Sequence, residues 1–224
     1  VNQLVAGMTD LVFGLVMSGC AIAVSRVNRA QFFGFQHRYW PATYWLGAAS
    51  AFIGVTHHLV FAHPQVAADL SWIAVGVALC LSLSALLAAT AVETLSAPAA
   101  RTVIRIRSVG LVGYAVFAAT GRGNLGALLA CESLTMLAVI SLWLIGARDG
   151  HPQAPRILAG MFAMAAATLA FTPPGLALGD WLRLDPGSFE HLLQIPGMML
   201  LARGLVLDPP SGRVRRVAYA SGES

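Results

Sequence analysis

The sequence predicts an all-α integral membrane bundle of about seven transmembrane helices, with the N-terminus outside and the C-terminus in the cytoplasm. Three observations predict it: a scarcity of charge, a succession of long apolar runs, and a lopsided distribution of arginine. Charged residues make up only 11% of the 224 residues and hydrophobic ones 57%, with a mean hydropathy of +0.72. A soluble domain carries about 25% charged residues, so the apolar surface of this chain is expected to face lipid.

A spanning helix needs roughly 20 mostly apolar residues. The runs that meet this requirement are 4–25, 40–62, 68–92, 103–120, 125–146, 156–172 and 189–207. The fourth carries Arg105 and Arg107 in its first turns, where long side chains can snorkel to the interface. The sixth is short and is expected to stop at Pro173-Pro174, because proline cannot continue a helix. Residues 173–188 are rich in Pro, Gly and Asp, and an interfacial half-turn is expected around Trp181. No linker or second domain interrupts the chain, so 1–224 reads as one transmembrane domain. The first apolar run has neither a basic flank nor a small-residue cleavage site, so a secretory signal is not expected.

Orientation follows from the arginines, which supply all the positive side chains because the sequence has no lysine. Arg26, Arg29, Arg38, Arg101, Arg105, Arg107, Arg148, Arg156, Arg203, Arg213, Arg215 and Arg216 fall on one side of the predicted spans. Arg122 and Arg183 fall on the other. The positive-inside rule puts the first set in the cytoplasm and requires an odd number of spans. The pI near 9.4 is thereby explained by the membrane, and nucleic acid is not an expected partner. Tyr39, Trp40, Tyr44 and Trp45 anchor span two at the inner interface, and the tail Arg213-Val214-Arg215-Arg216 rests on anionic lipid. The expected location is a bacterial inner membrane.

With this topology the polar residues gather at the outer level. His57 and His58 end span two, His63 follows, Asp69 opens span three, and Asp10 lies in the outer part of span one. Asp180, Asp185, Glu190 and His191 lie before or at the start of span seven. His, Asp and Glu together form the ligand set of a metal site or of an acid–base site. The alternative for Asp69 and Glu190 is that a first-turn acid complements its helix dipole. Glu132, two turns into span five, suits a structural hydrogen bond or a cavity lining equally. Cys20, Cys80 and Cys131 lie singly in apolar runs without CxxC spacing and read as small packing residues rather than a disulfide framework. The glycines of GRGNLG at 121–126 follow no strand and do not make a phosphate loop.

His58 followed eleven residues later by Asp69, with His191 in FEHLLQIPG, resembles the seven-span superfamily of alkaline ceramidases, adiponectin receptors and hemolysin III proteins. The resemblance implies a zinc site in which His58 is the span-two ligand and His191 the second member of a span-seven pair. Asp69 then stands for the family's aspartate. Gly187 occupies the position of the first span-seven histidine, and Gly54 that of a serine four residues before His58. The implied set is His58 and His191 with Asp69 as metal ligands, and Asp69 and Glu190 as catalytic carboxylates. His57 points roughly 100° away from His58 on the helix and is the spare or supporting partner. The implied activity is zinc-dependent hydrolysis of a lipid amide or ester. The alternative is a non-catalytic membrane protein that binds a lipid or a partner subunit, which Gly54 and Gly187 favour.

Overall fold

The computed structural model describes residues 3–31, 38–60, 65–122 and 125–207. His63 and the tail arginines Arg213, Arg215 and Arg216 lie outside the described residues. The described residues form eight α-helices and no strands: α1 (Gln3–Gln31), α2 (Tyr39–Leu59), α3 (Gln65–Thr94), α4 (Ala97–Phe117), α5 (Leu125–Arg148), α6 (Ala154–Ala166), α7 (Pro173–Leu182) and α8 (Pro186–Leu207). A π-turn, Ala118–Arg122, follows α4, and a 3-10 turn, Ala167–Phe171, extends α6.

Five stretches are long and apolar enough to cross a membrane: Gln3–Val27, Gln65–Thr94, Ala97–Gly121, Gly126–Arg148 and Ala154–Phe171. Apart from the short α7, the helices outside this set are α2 and α8, which carry His57 and His58 or Glu190, His191 and Gln194. Their polarity, not their length of 21 and 22 residues, sets them apart.

Six helices close into a ring in the order α1, α2, α3, α5, α6, α8 and back to α1. The fourth helix lies outside this ring, packed on α3. Ile106, Val109 and Val112 are 63–74% exposed on it, which is how a helix looks when lipid is its main neighbour. It starts at Ala97, earlier than residue 103, because Ser96 is extended and a proline occupies the first helical turn, where its missing N–H breaks no bond.

The Pro173-Pro174 stop is also a start. Helix α7 begins at Pro173 and ends at Arg183, whose left-handed φ of 59° closes the helix. The expected half-turn is therefore a ten-residue helix, and its Trp181 is 78% exposed.

Small residues bring two helices of the ring into backbone contact. A Cβ on Gly160 of α6 would lie 2.9 Å from the Leu201 nitrogen, and one on Gly197 of α8 would lie 2.7 Å from the Met164 nitrogen. The two backbones touch there, as helices in lipid do where glycines face each other. Around this seam lies an apolar core of Met17, Tyr44, Leu86, Trp143, Ile157, Met161 and Leu201. Its polar atoms are tied internally: Tyr44 donates to the Met198 carbonyl at 3.2 Å, and Trp143 Nε1 to the Thr90 hydroxyl at 3.1 Å.

Candidate functional site

The other end of the ring is polar, and Asp10 is its centre. Asp10 sits one-third of the way along α1, in a run with no other charge until Arg26. An isolated carboxylate in such a helix needs partners, and it finds two histidines. His191 Nδ1 of α8 lies 2.8 Å from Asp10 Oδ1, and His58 Nε2 of α2 lies 3.7 Å from Asp10 Oδ2. The His191 approach is close but oblique to the ring N–H. The Asp10 side chain is 8% exposed, against 22% for His58 and 34% for His191. The carboxylate is thus inside, and the imidazoles reach outward from it.

Each histidine is held from its other side. His58 Nδ1 lies 2.6 Å from Gln3 Oε1 of α1, and the His191 ring stacks on Phe13 with centroids 5.2 Å apart. His57 turns away towards α3, with Nδ1 2.8 Å from the Ser71 hydroxyl. That hydroxyl already donates to the Ala67 and Ala68 carbonyls, so it accepts the His57 N–H.

Two further carboxylates stand behind the Asp10 group. Gln194 Nε2 donates to Glu190 Oε1 at 3.2 Å and reaches Glu132 Oε1 of α5 at 3.4 Å. One amide therefore bridges acids from α5 and α8, and Glu190 and Gln194 are both buried.

Of the residues expected to act together, His58 and His191 face one carboxylate, but it belongs to Asp10. Asp69 lies on the exposed side of α3, where Oδ1 accepts from Gln65 one helical turn earlier at 2.8 Å. Among the described residues no three His, Cys, Asp or Glu side chains are grouped to hold a metal ion. The two histidines face Asp10 while Asp69 bonds Gln65, so His58, His191 and Asp69 do not come together.

Gly54 is not an empty serine position. A Cβ there would fall on the Asp10 carboxylate, so the glycine makes the space that Asp10 fills. A Cβ on Gly187 would meet only Asp185 Oδ1, at an ordinary contact distance of 3.4 Å.

Asp185 caps α8, accepting from the Ser188 amide at 3.1 Å and its hydroxyl at 2.5 Å. Burial alone would raise this carboxyl, but the hydrogen bonds from Ser188 and the neighbouring amides outweigh it and hold the group below its ordinary range. Capping fixes the first turn of α8 and hence the direction of Glu190 and His191.

No curated protein and no solved structure matches this chain. A family model matches residues 5–207, from the first turn of α1 to the end of α8, including Asp10, His58, Glu132, Glu190 and His191. The chain belongs to that family, the family of unknown function DUF6962.

Proposed function

We propose that this chain is a seven-span protein of a bacterial inner membrane whose Asp10–His191 pair performs acid–base chemistry on a lipid amide or ester. The spans are α1 to α6 and α8, with the polar end outside. Two features support seven: α2 and α8 are packed inside the ring beside apolar neighbours, and the arginine distribution requires an odd number.

The observation that carries the chemistry is the Asp10 carboxylate between imidazoles from two other helices. Asp10 faces Nδ1 of His191, which leaves Nε2 to take a proton from an attacking water. The carboxylate stabilises the imidazolium that forms, as in other His–Asp pairs. Glu190 and Glu132, linked through Gln194, supply a carboxyl group to protonate the leaving nitrogen or oxygen. The substrate is amphiphilic, since its reacting bond must reach a polar site at one end of an apolar bundle. A positioned general base contributes about 10²–10⁴ in rate.

The second reading is a non-catalytic protein that binds a lipid or a partner subunit at the same site. It is favoured by the placement of Asp69 on the exposed side of α3, bonded to Gln65. Purified protein incubated with a panel of short-chain lipid amides and esters separates the readings. The enzyme reading expects turnover that falls at least 100-fold in Asp10→Asn and His191→Gln. Lipid that co-purifies unchanged, with no turnover by wild type, supports the binding protein instead. Metal analysis of the same samples covers the zinc expectation: stoichiometric zinc lost in His58→Ala and His191→Ala would replace the metal-free mechanism.

A further inference from the structure

A second reactive cluster lies where α3, α4 and α5 approach one another, with Cys131 adjacent to Glu132 along α5. Cys80 Sγ and Cys131 Sγ are 3.6 Å apart. Cys80 is fully buried and Cys131 half-buried. Arg107 reaches over them from α4. Its Nε donates to the Ser84 hydroxyl at 2.8 Å, and its Nη2 approaches both the Cys80 carbonyl and the Cys131 sulfur at 3.4 Å.

Depth makes this arrangement unusual. Arg107 is midway along the 21-residue α4, about 15 Å from either end. Ionisable side chains at such depth are expensive and tend to mark function. Here the guanidinium is held by a hydroxyl, a carbonyl and a thiol sulfur. A guanidinium beside a sulfur complements the negative charge that the sulfur carries when it acts as a nucleophile. The two sulfurs need to close by about 1.5 Å to reach the bonded distance of ~2.05 Å. Cys20 lies in the apolar core between other helices and serves as an internal control.

We infer that Cys80 and Cys131 form a redox-active dithiol at mid-membrane, activated by Arg107, which closes to an α3–α5 disulfide on oxidation by a lipid-soluble quinone. The quinone class follows from access. Cys131 stays partly accessible beside α4, whose outer residues are apolar and exposed, so a membrane-dissolved oxidant reaches it more readily than an aqueous one. Cys131 thiolate adds to the quinone ring. Cys80 then loses its proton and attacks the Cys131 sulfur, and the electron pair of the broken sulfur–carbon bond leaves with the quinone. One S–S bond forms and two S–H bonds break. The two electrons and two protons end on the hydroquinone.

The test counts thiols. Wild-type protein in detergent is treated with duroquinone, denatured, and labelled with a polyethylene-glycol maleimide. The expected number of labels falls from three to one and returns to three with dithiothreitol, and peptide mapping links Cys80 to Cys131. Cys20→Ser should fall from two labels to none, while Cys80→Ser and Cys131→Ser should keep both of theirs. Arg107→Met should oxidise at least tenfold more slowly than Arg107→Lys. Three labels retained by wild type, thiol loss that appears only as a cross-linked dimer, or equal loss in Cys80→Ser would overturn the inference. Wild type and Cys20→Ser decide the matter even where other variants fold poorly.

Discussion

The two ends of the helical ring solve the same packing problem with opposite chemistry. At one end Trp40, Tyr44, Trp143, Met161 and Leu201 fill the space between helices with apolar volume. Tyr44 and Trp143 satisfy their polar atoms inside the protein, through the Met198 carbonyl and the Thr90 hydroxyl. At the other end Asp10, His58, Glu132, Glu190, His191 and Gln194 fill it with ionisable and amide groups that satisfy one another only in part. Replacing such groups by well-packed apolar ones is often neutral or stabilising. Fewer such groups lie at the first end, where the buried Gln153 is one.

The seam shared by both ends should show the largest effect. Gly197→Leu would drive a side chain into the α6 backbone at Met164 and Gly160. Overpacking typically destabilises by about 1–3 kcal/mol, and contact with backbone puts this variant at the top of that range. Loss of a monodisperse peak on size exclusion is the expected result. If Gly197→Leu purifies like wild type, the α6–α8 contact is not as close as described.

Asp10→Ala comes next and breaks the polar end alone. It leaves the buried Nδ1 of His191 facing a cavity, a loss of about 1–3 kcal/mol for an unpaired buried polar group. Thermal unfolding in detergent should show it, and Asp10→Asn should recover part of the loss. Tyr44→Phe is the matching change at the apolar end. It removes one hydrogen bond to the Met198 carbonyl, worth about 1 kcal/mol, and should leave any lipid turnover unchanged.

The smallest effect sharpens the comparison through pH. His151, in the loop between α5 and α6, packs edge-on against Trp143, and its Nδ1 accepts from the Gln153 amide. Burial holds its pKa below the ordinary 6.5. The unfolded chain therefore binds a proton first as pH falls, so the stabilisation is complete above about pH 6.5 and lost as pH drops through the folded value. The melting temperature should rise modestly from pH 5 to pH 7, and His151→Phe should flatten that rise.

The helical ring was largely legible because long apolar runs have few alternatives to helix in lipid. His58 and His191 were legible too, as polar residues at the ends of their helices. Asp10 was visible as an intramembrane acid, but its role was not, because the contact joins residues 48 and 181 positions apart. Its signal was the isolation of one carboxylate in an uncharged run. Gly54 misled for the same reason: read against a serine it is a deletion, and read against Asp10 it is a space. Asp69 looked like part of the site by spacing across a turn, whereas its helix turns it towards Gln65. The Cys80–Cys131 contact could not be read from spacing, since nothing local links two single cysteines 51 residues apart.

The central claim is that Asp10 and His191 act as a unit, and a double-mutant cycle on unfolding free energy tests it most directly. Asp10→Asn, His191→Gln and the double variant would be unfolded from detergent micelles alongside wild type. Coupled residues in direct contact show interaction energies of about 0.5–3 kcal/mol. The account predicts that the double variant is less destabilised than the two single losses added together, by about 1 kcal/mol or more. Losses that simply add would contradict it and leave the two side chains as independent polar groups at the same end of the ring.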